Sequence, residues 1–206
     1  ELRTGRLNPP DRLKRPDERP AEPVRLRDHD PARLTSFDAA HRLGDESRAE
    51  RVAAAVFARS QNRQFADPIL RGRYPAAILD MPGAGTDVIQ DGDLALISAP
   101  LDYYGISFAH PTVVAAAPGN TAIPFSLEPG TGMPMSSAGW PIHPEALTRL
   151  LTEMDRRYPN LPPVYVTGSG GAFDDEPAEG GAPRDLHRIA YLDGHLAAIA
   201  AANTAG

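Results

Sequence analysis

The residues whose types could best take part in chemistry are Thr167-Gly168-Ser169-Gly170-Gly171, which follow a short apolar run. The run itself, Val164-Tyr165-Val166, predicts a buried strand, and chemistry in parallel α/β architectures lies just beyond the carboxyl ends of strands. A serine between glycines is similar to the nucleophile elbow of hydrolases, but Thr167 stands where that motif begins with glycine, and an acidic segment follows instead of a helix. The glycines could cradle a phosphate, yet no Lys-Ser/Thr pair follows them. The pattern therefore disfavours both a Ser169 nucleophile and a phosphate loop.

The carboxylates and histidines of the sequence form no clearer catalytic or metal-binding motif. Glu22, Glu128 and Glu176 each precede a proline, and none is predicted to end a strand. Glu176 lies in the segment beyond Gly168 and is interpreted as a solvated surface acid. His187 and His195 are eight residues apart on a predicted helix, which is too far for an ordinary chelating pair. No metal site and no cofactor are expected.

Composition narrows the class of protein. The chain has 206 residues, enough for one domain with a core, and no cysteine, which excludes disulfides and thiolate metal sites. The net charge is −6 with both signs interspersed, which argues against a nucleic-acid partner. No apolar run approaches the ~20 residues of a membrane span. We expect a soluble, cytoplasmic protein with no membrane partner.

The amino-terminal segment differs in composition from the rest. Residues 1–35 are rich in Arg, Pro and Asp, and their few large apolar residues follow no period. Such a segment cannot build a core of its own. We therefore predict an irregular or disordered leader at 1–35 and a folded domain at 36–206.

Helical periodicity begins after the leader. Ser47 is a plausible N-cap for an Ala-rich helix that is predicted to end near Phe65, and 67–75 is expected to be a loop or short helix. Part of the helix's apolar stripe comprises Val52, Val56 and Phe57. A strand is best placed at 101–108, and the many Gly, Pro, Ser and Thr residues of 115–138 predict a long loop.

The clearest helix opens at His143-Pro144-Glu145, where proline and an acidic residue suit the first turn. Its apolar face is predicted to comprise Leu147, Leu150, Leu151, Met154 and Tyr158. Pro159-Asn160-Leu161-Pro162-Pro163 ends it, the strand at 164–167 follows, and a last helix begins at about Asp185. That helix is predicted to bury Leu186, Ile189, Ala190, Leu196 and Ile199. Strands alternating with helices predict a parallel sheet covered by helices, the α/β class.

Four stretches together resemble the family 1 glycoside hydrolases, the β-glucosidases and their relatives, in the order of that family. They are Gln61 to Pro75, Asp93 to Phe108, Ala138 to Leu147, and the strand at 164–167 with Arg188 to Leu196. The first is similar to the family's Asn-Arg-Trp-Phe-x-Asp-Pro…Gly-x-Tyr-Pro, and the third to its Gly-Trp-Glu-x-x-Pro-x-Gly-Leu. The resemblance implies a partial (β/α)8 barrel of glycosidase type. It also implies an O-glycosyl hydrolase lineage acting in carbohydrate metabolism.

The resemblance also implies that the mechanism is lost. The family's nucleophile strand ends Thr-Glu-Asn-Gly, and Gly168 stands at the position of that Glu, with Ser169 at the Asn. Retaining glycosidases need two carboxyl groups about 5–5.5 Å apart, and the family's Asn-Glu-Pro acid/base motif is not found either. Ser107 and Ala109 match an Asn and a Tyr that line the family's sugar site. No catalytic residue is therefore assigned, and several coincident losses argue against a single engineered nucleophile change.

A sugar-contacting surface is the feature that the resemblance leaves intact. Trp140, the only tryptophan, matches the family's platform for the leaving-group side of the substrate, and aromatic faces suit the apolar faces of sugar rings. A tryptophan packed beneath a loop is the equal alternative. The predicted substrate-binding residues are Trp140, Ser107 and Ser169.

Three functional readings stay open at this point. The favoured one is a truncated or degenerate β-glucosidase-like protein with little or no hydrolytic activity. The second is a non-enzymatic module that binds a β-glycoside or small sugar, or a protein. The third is one half of a split glycosidase. Because part of a barrel leaves sheet edges unpaired, self-association or a partner chain that covers those edges is expected.

Overall fold

Two small sheets and the helices packed on them make up the described part of the chain. A computed structural model describes residues 34–35, 48–80, 85–117, 119, 123–130, 132–174 and 185–205. One sheet is antiparallel, in the order β1-β3-β4, and the other is a parallel pair, β2–β5. The strands are β1 (Leu34–Thr35), β2 (Tyr104–Ser107), β3 (Thr112–Ala116), β4 (Phe125–Glu128) and β5 (Val164–Gly168). Apart from β1, the predicted leader at 1–35 lies outside the described residues.

The parallel pair contains the strands predicted at 101–108 and 164–167. β2 is shorter than predicted, because Leu101 and Tyr103 precede it and are exposed. Tyr104 is paired with Val164, and a bulge after Ile106 shifts the register so that Ser107 is paired with Gly168. Since the strands are parallel, their carboxyl ends meet at one edge of the sheet.

A long helical segment precedes β2. It consists of α1 (Arg48–Ala58), a π-helical segment (Arg59–Arg63) and α2 (Gln64–Arg71). A helix begins at Arg48 and continues past the predicted end at Phe65 to Arg71, whereas Ser47, the predicted N-cap, lies outside the described residues. Gly72 ends it in the left-handed conformation, with φ of 63°. Two short helices follow, α3 (Ala76–Leu79) and α4 (Asp93–Ile97).

The buried side of α1 packs on the antiparallel sheet. Phe57 and Phe125 meet edge to face with ring centroids 5.2 Å apart, and Val114 lies in the same cluster. Of the predicted stripe, Phe57 is buried but Val52 is exposed. The alanines of α1, Ala53 and Ala54, are buried instead, which allows the helix to lie close to the sheet.

The prediction of a long loop at 115–138 was wrong in part. Residues 125–128 form β4, and β3 extends into the predicted loop as far as Ala116. The two strands are antiparallel, with Val113 paired with Glu128 and Ala116 with Phe125. Their cross-strand pairing and the cover provided by α1 outweigh the Gly and Pro content of the neighbouring residues.

The helix predicted from 143–145 is α5 (Glu145–Arg157), and its apolar face is confirmed. The main core is built around this face, which comprises the buried Leu147, Leu150, Met154 and Tyr158 and the partly buried Leu151. The buried Tyr158 hydroxyl donates a 2.7 Å hydrogen bond to the carboxylate of Asp67 at the other end of the core. This bond ties the segment after α5 to α2.

The last helix, α6 (Leu186–Ala205), buries a face other than the predicted one. Its buried residues are Tyr191, His195, Ala198 and Ala202, spaced i, i+4, i+7 and i+11. Of the predicted residues, Ile199 packs on the core, whereas Leu186, Ile189, Ala190 and Leu196 are exposed.

Close approach between α5 and α6 explains the choice of face. A Cβ atom at Gly194 would lie 2.9 Å from Cγ of Pro144, and Thr148 Oγ1 donates a 2.9 Å hydrogen bond to the Ala198 carbonyl. Only small side chains fit at such a contact, so the larger leucines of α6 point elsewhere. No helix among the described residues is long and apolar enough to cross a membrane.

Candidate functional site

The carboxyl ends of β2 and β5 bring together the residues that the sequence singled out. Ser107 and Gly168 are partners in the parallel register. Their approach is so close that a Cβ atom at Gly168 would lie 2.8 Å from Ser107 Oγ and 3.4 Å from Ser107 Cβ. Ser107 is exposed, and Phe108 N donates a 2.8 Å hydrogen bond to the Gly168 carbonyl. The two strand ends therefore present a hydroxyl and open backbone to solvent, with no carboxylate between them.

Tyr191 of α6 connects the two strand ends. Its hydroxyl donates a 2.7 Å hydrogen bond to the Ala109 carbonyl and lies 3.4 Å from Ser169 Oγ. Its ring stacks on His195, with centroids 3.9 Å apart, and meets Phe173 edge to face at 5.9 Å. A residue of the last helix thus fixes the segments that follow both strands.

Trp140 lies on a tight loop before α5. Ser136 accepts from Trp140 N through its side chain at 3.2 Å and donates its own N–H to the Trp140 carbonyl at 2.9 Å. Gly139 gives the loop its turn, with φ of 73°. Ser137 N donates a 2.9 Å hydrogen bond to the Ala172 carbonyl, which connects this loop to the segment after β5.

The indole ring of Trp140 is stacked on one side and open on the other. It lies against the His110 imidazole with centroids 4.8 Å apart and planes inclined by 29°. Trp140 is nevertheless 40% exposed, so it is not packed beneath the loop. His110 Nδ1 lies 2.9 Å from the Pro111 carbonyl, and donation to that oxygen fixes the ring for stacking.

Carboxylates do not converge on the strand ends in the described residues. After β5 the first one is Asp174, which is exposed and six positions beyond Gly168. The expectation that no Glu-Pro pair ends a strand was wrong for Glu128, which is the last residue of β4. That strand belongs to the antiparallel sheet, and exposed Glu128 accepts a 2.6 Å hydrogen bond from Ser126 Oγ. Glu22 and Glu176 lie outside the described residues.

Two histidines are buried near α5 and α6, of which His195 contacts Tyr191. His195 is 2% exposed, with Nδ1 2.7 Å from the Tyr191 carbonyl and Nε2 without a hydrogen-bond partner. Burial lowers the pKa of His195, more than this hydrogen bond and the charge of Glu145 raise it. Burial likewise lowers the pKa of His143, against the opposing effect of Glu145, whose carboxylate lies 3.2 Å from His143 Nδ1. Both imidazoles are therefore held in the neutral form more strongly than exposed ones.

The geometry divides the predicted substrate-binding residues into two groups. Ser107 ends β2 and Ser169 follows β5, and the Tyr191 hydroxyl bridges the Ala109 carbonyl and the Ser169 hydroxyl. The ring contact of Trp140, by contrast, is with His110. Sequence reasoning did not single out Tyr191 for the site, and it placed His110 near the strand ends without a visible partner. The spacing of Tyr191 and His195 by one helical turn is a signal that could have identified the buried face of α6.

The fold and strand-end site define a portion of a glycosidase-type (β/α)8 barrel, and comparison with known proteins agrees. Residues 35–206 match the model of glycosyl hydrolase family 1. The chain belongs to glycosyl hydrolase family 1.

Two characterised relatives illustrate the similarity. The chain is 32% identical over 151 residues to 1,4-β-D-glucan glucohydrolase of Thermotoga neapolitana, covering 72% of this chain and 35% of that protein. It is 35% identical over 148 residues to thermostable β-glucosidase B of Thermobispora bispora, covering 70% of this chain and 31% of that protein. The chain thus spans about a third of the length of these relatives.

Comparison with solved structures also finds similar proteins. The AHE enzyme of Alicyclobacillus herbarius superposes with a TM-score of 0.71 at 34% identity, over 84% of this chain and 38% of that one. The psychrophilic β-glucosidase of Micrococcus antarcticus gives a TM-score of 0.71 at 29% identity, over 84% and 41% of the two chains. The described strands and helices therefore have the fold of part of these structures.

Proposed function

We propose that this chain is a β-glucosidase-like protein that contacts a β-glycoside or small sugar but has little or no hydrolytic activity of its own. The observation that carries the proposal is the pairing of Gly168 with Ser107. At the strand end where the family resemblance puts the nucleophile there is no carboxylate, and the Ser107 hydroxyl oxygen lies 2.8 Å from the point at which a Cβ atom would begin a longer side chain. Without a carboxyl group at this point, a covalent glycosyl intermediate cannot form there.

The proposed contact with a sugar rests on an aromatic ring and two hydroxyl groups. Trp140 presents a partly exposed indole ring, and the side chains of Ser107 and Ser169 are exposed at the strand ends. An indole face packs on the C–H face of a sugar ring, and serine hydroxyls exchange hydrogen bonds with sugar hydroxyls. These three residues remain the proposed substrate-binding set.

An activity assay tests the loss of hydrolysis. The purified chain is incubated with an aryl β-glucoside, and release of the phenol is followed against an Asp174→Asn variant. Asp155→Asn, an exposed acid on α5, serves as the matched control. We expect no turnover above background in any of the three. Turnover that Asp174→Asn abolishes and Asp155→Asn leaves unchanged would overturn the proposal.

A second candidate function, association with another polypeptide, is favoured by the parallel pair. β2 and β5 have no further strand beside them in the described part of the chain. Parallel sheets are otherwise found with several strands and both faces covered, so these edges suit self-association or a partner chain that would complete a split enzyme. Light scattering tests self-association: a mass that rises with concentration supports it, and a constant monomer mass opposes it. Co-purification from the native source tests the partner chain.

A further inference from the structure

The sequence contains two Asp-Gly pairs, Asp91-Gly92 and Asp193-Gly194. In such a pair the amide nitrogen of the glycine can attack the side-chain carboxyl of the aspartate, because glycine has no Cβ atom to obstruct the close approach. Both aspartates are exposed, so exposure does not distinguish the two pairs. Their backbones differ, and the backbone decides whether the nitrogen can reach the carboxyl group.

The first pair forms the centre of an exposed turn before α4. Asp93 N donates a 3.2 Å hydrogen bond to the Gln90 carbonyl, and Gln90 N donates a 2.9 Å hydrogen bond to Asp93 Oδ2. Gly92 has φ of 95° and ψ of −17°, which is close to the third position of a type II turn. A Cβ atom at Gly92 would meet nothing within 4 Å among the described residues, so the space around this glycine is open.

The second pair lies inside a helix. Asp193 and Gly194 are interior residues of α6, and in an α-helix each interior amide N–H donates to the carbonyl four residues earlier. Gly194 is also in close contact with α5, because a Cβ atom there would lie 2.9 Å from Pro144 Cγ. The Gly194 nitrogen can therefore reach the Asp193 carboxyl group only after α6 has opened locally.

We propose that Asp91 is a site of spontaneous covalent modification, at which aspartate is converted into isoaspartate, and that the fold protects Asp193 from the same reaction. Gly92 N forms a bond to Asp91 Cγ, and the carboxyl OH leaves with the amide proton as water, which closes a succinimide ring. Water then adds to one of the two ring carbonyls, and the bond from that carbon to nitrogen breaks. Opening at Cγ restores aspartate, whereas opening at the main-chain carbonyl carbon leaves isoaspartate. Water is the only co-reactant, and nothing is oxidised or reduced.

The product changes the covalent path of the chain in the turn. In isoaspartate the main chain runs through Cβ and Cγ, which lengthens it by one methylene group. The added length disturbs the two hydrogen bonds between Gln90 and Asp93, and also the 3.1 Å bond from Leu96 N to the Gly92 carbonyl at the start of α4. Because α4 packs on α2, the modification affects the contact between these two helices.

Prolonged incubation of the full chain at mildly acidic pH, in water enriched in heavy oxygen, tests the proposal. Each passage through the succinimide incorporates one heavy oxygen atom, which peptide mapping locates, and chromatography separates isoaspartyl from aspartyl peptides. Asp91→Glu keeps the negative charge but removes the spacing that closes the succinimide ring, and Asp193→Glu is the matched control. A parallel sample in concentrated urea gives the two rates in the unfolded chain.

In the folded chain we expect isoaspartate to accumulate at position 91 at least about tenfold faster than at position 193, because local opening of α6 must come first at the second site. In urea the two rates should become similar. Asp91→Glu should lose the product at position 91, and Asp193→Glu should form it there at the wild-type rate. Equal rates at the two sites in the folded chain, or the same ratio in urea as in its absence, would overturn the inference. So would a folded chain that takes up no heavy oxygen at position 91.

Discussion

Gly168 and Ser107 are so close that a Cβ atom added to the glycine would stand 2.8 Å from the serine hydroxyl oxygen. The two residues come into contact because the bulge after Ile106 shifts the register between β2 and β5. Both differ from what the family resemblance leads one to expect at these positions, and the differences fit one another. A glycine at 168 is what allows the Ser107 side chain its present position.

Substitution Gly168→Glu tests this relationship. We expect the variant to be destabilised by about 1–3 kcal/mol through overpacking against Ser107, and to release no phenol from an aryl β-glucoside, since no second carboxylate faces it in the described residues. Gly170→Glu is the control, because a Cβ there meets nothing within 4 Å. Equal melting temperatures for the two variants would contradict the close contact.

The stacking of His110 on Trp140 gives a spectroscopic prediction. Removal of the imidazole in His110→Ala exposes a second face of the indole, which is already 40% exposed. Because the chain has one tryptophan, the emission maximum reports on this ring alone, and we expect it to move to longer wavelength. His187→Ala, on exposed α6 surface, should leave the spectrum unchanged. An unchanged spectrum in His110→Ala would mean that the rings do not stack in solution.

Buried His195 makes stability depend on pH. Burial lowers the pKa of its imidazole in the folded chain below the ordinary 6.5 that it regains on unfolding. Between these two values the unfolded chain binds more protons than the folded one, so the free energy of unfolding falls as the pH drops below about 6.5. His195→Phe keeps an aromatic ring beside Tyr191 and removes the titrating group.

The measurement is the melting temperature between about pH 7.5 and about pH 5, because these two limits lie on either side of the ordinary histidine pKa of about 6.5. We expect a smaller decline in His195→Phe than in the wild-type chain, and His187→Gln to follow the wild type. A variant as sensitive to acid as the wild type would assign the decline to other groups, beginning with His143, whose pKa burial also lowers.

The bond between Tyr158 and Asp67 should contribute measurably to stability. Tyr158→Phe removes the 2.7 Å hydrogen bond to a buried carboxylate, and a buried acceptor left without its donor costs about 1–3 kcal/mol. Burial and the neighbouring carboxylate raise the pKa of Tyr158, so the phenol is protonated and able to donate at neutral pH. Urea denaturation measures the loss. Tyr165→Phe, at a 58% exposed position, is the control and should change the free energy of unfolding little.

Much of the fold could be predicted because its signals are local. The apolar period of α5 and the turn residues around it determined its face, and the strand ending at Gly168 followed directly. The face of α6 could not be read in the same way. Its burial depends on Gly194 meeting Pro144, a contact between segments 50 residues apart, at which small side chains outweigh large apolar ones. The strand at 125–128 likewise depends on pairing with β3 and cover from α1.

The candidate site likewise has residues that local sequence could place and residues that only contacts between distant segments could place. Gly168, Ser107 and Ser169 could be placed at strand ends from sequence, because parallel strands align their carboxyl ends. The Tyr191 hydroxyl between the strand ends and the His110 ring beneath Trp140 could not, because each depends on a three-dimensional approach of distant segments.

The exposed leucine side of α6 has a practical consequence for handling the protein. Leu186, Ile189 and Leu196 are 64%, 59% and 65% exposed and lie along one helix. Sulfate strengthens the tendency of such surfaces to leave water, whereas moderate urea weakens it. This helix therefore contributes, with other exposed apolar residues such as Leu96 and Val88, to salting-out by ammonium sulfate and to retention on a phenyl resin. Replacing Leu186 and Leu196 with glutamine should raise the ammonium sulfate concentration needed for salting-out and shorten retention on the resin.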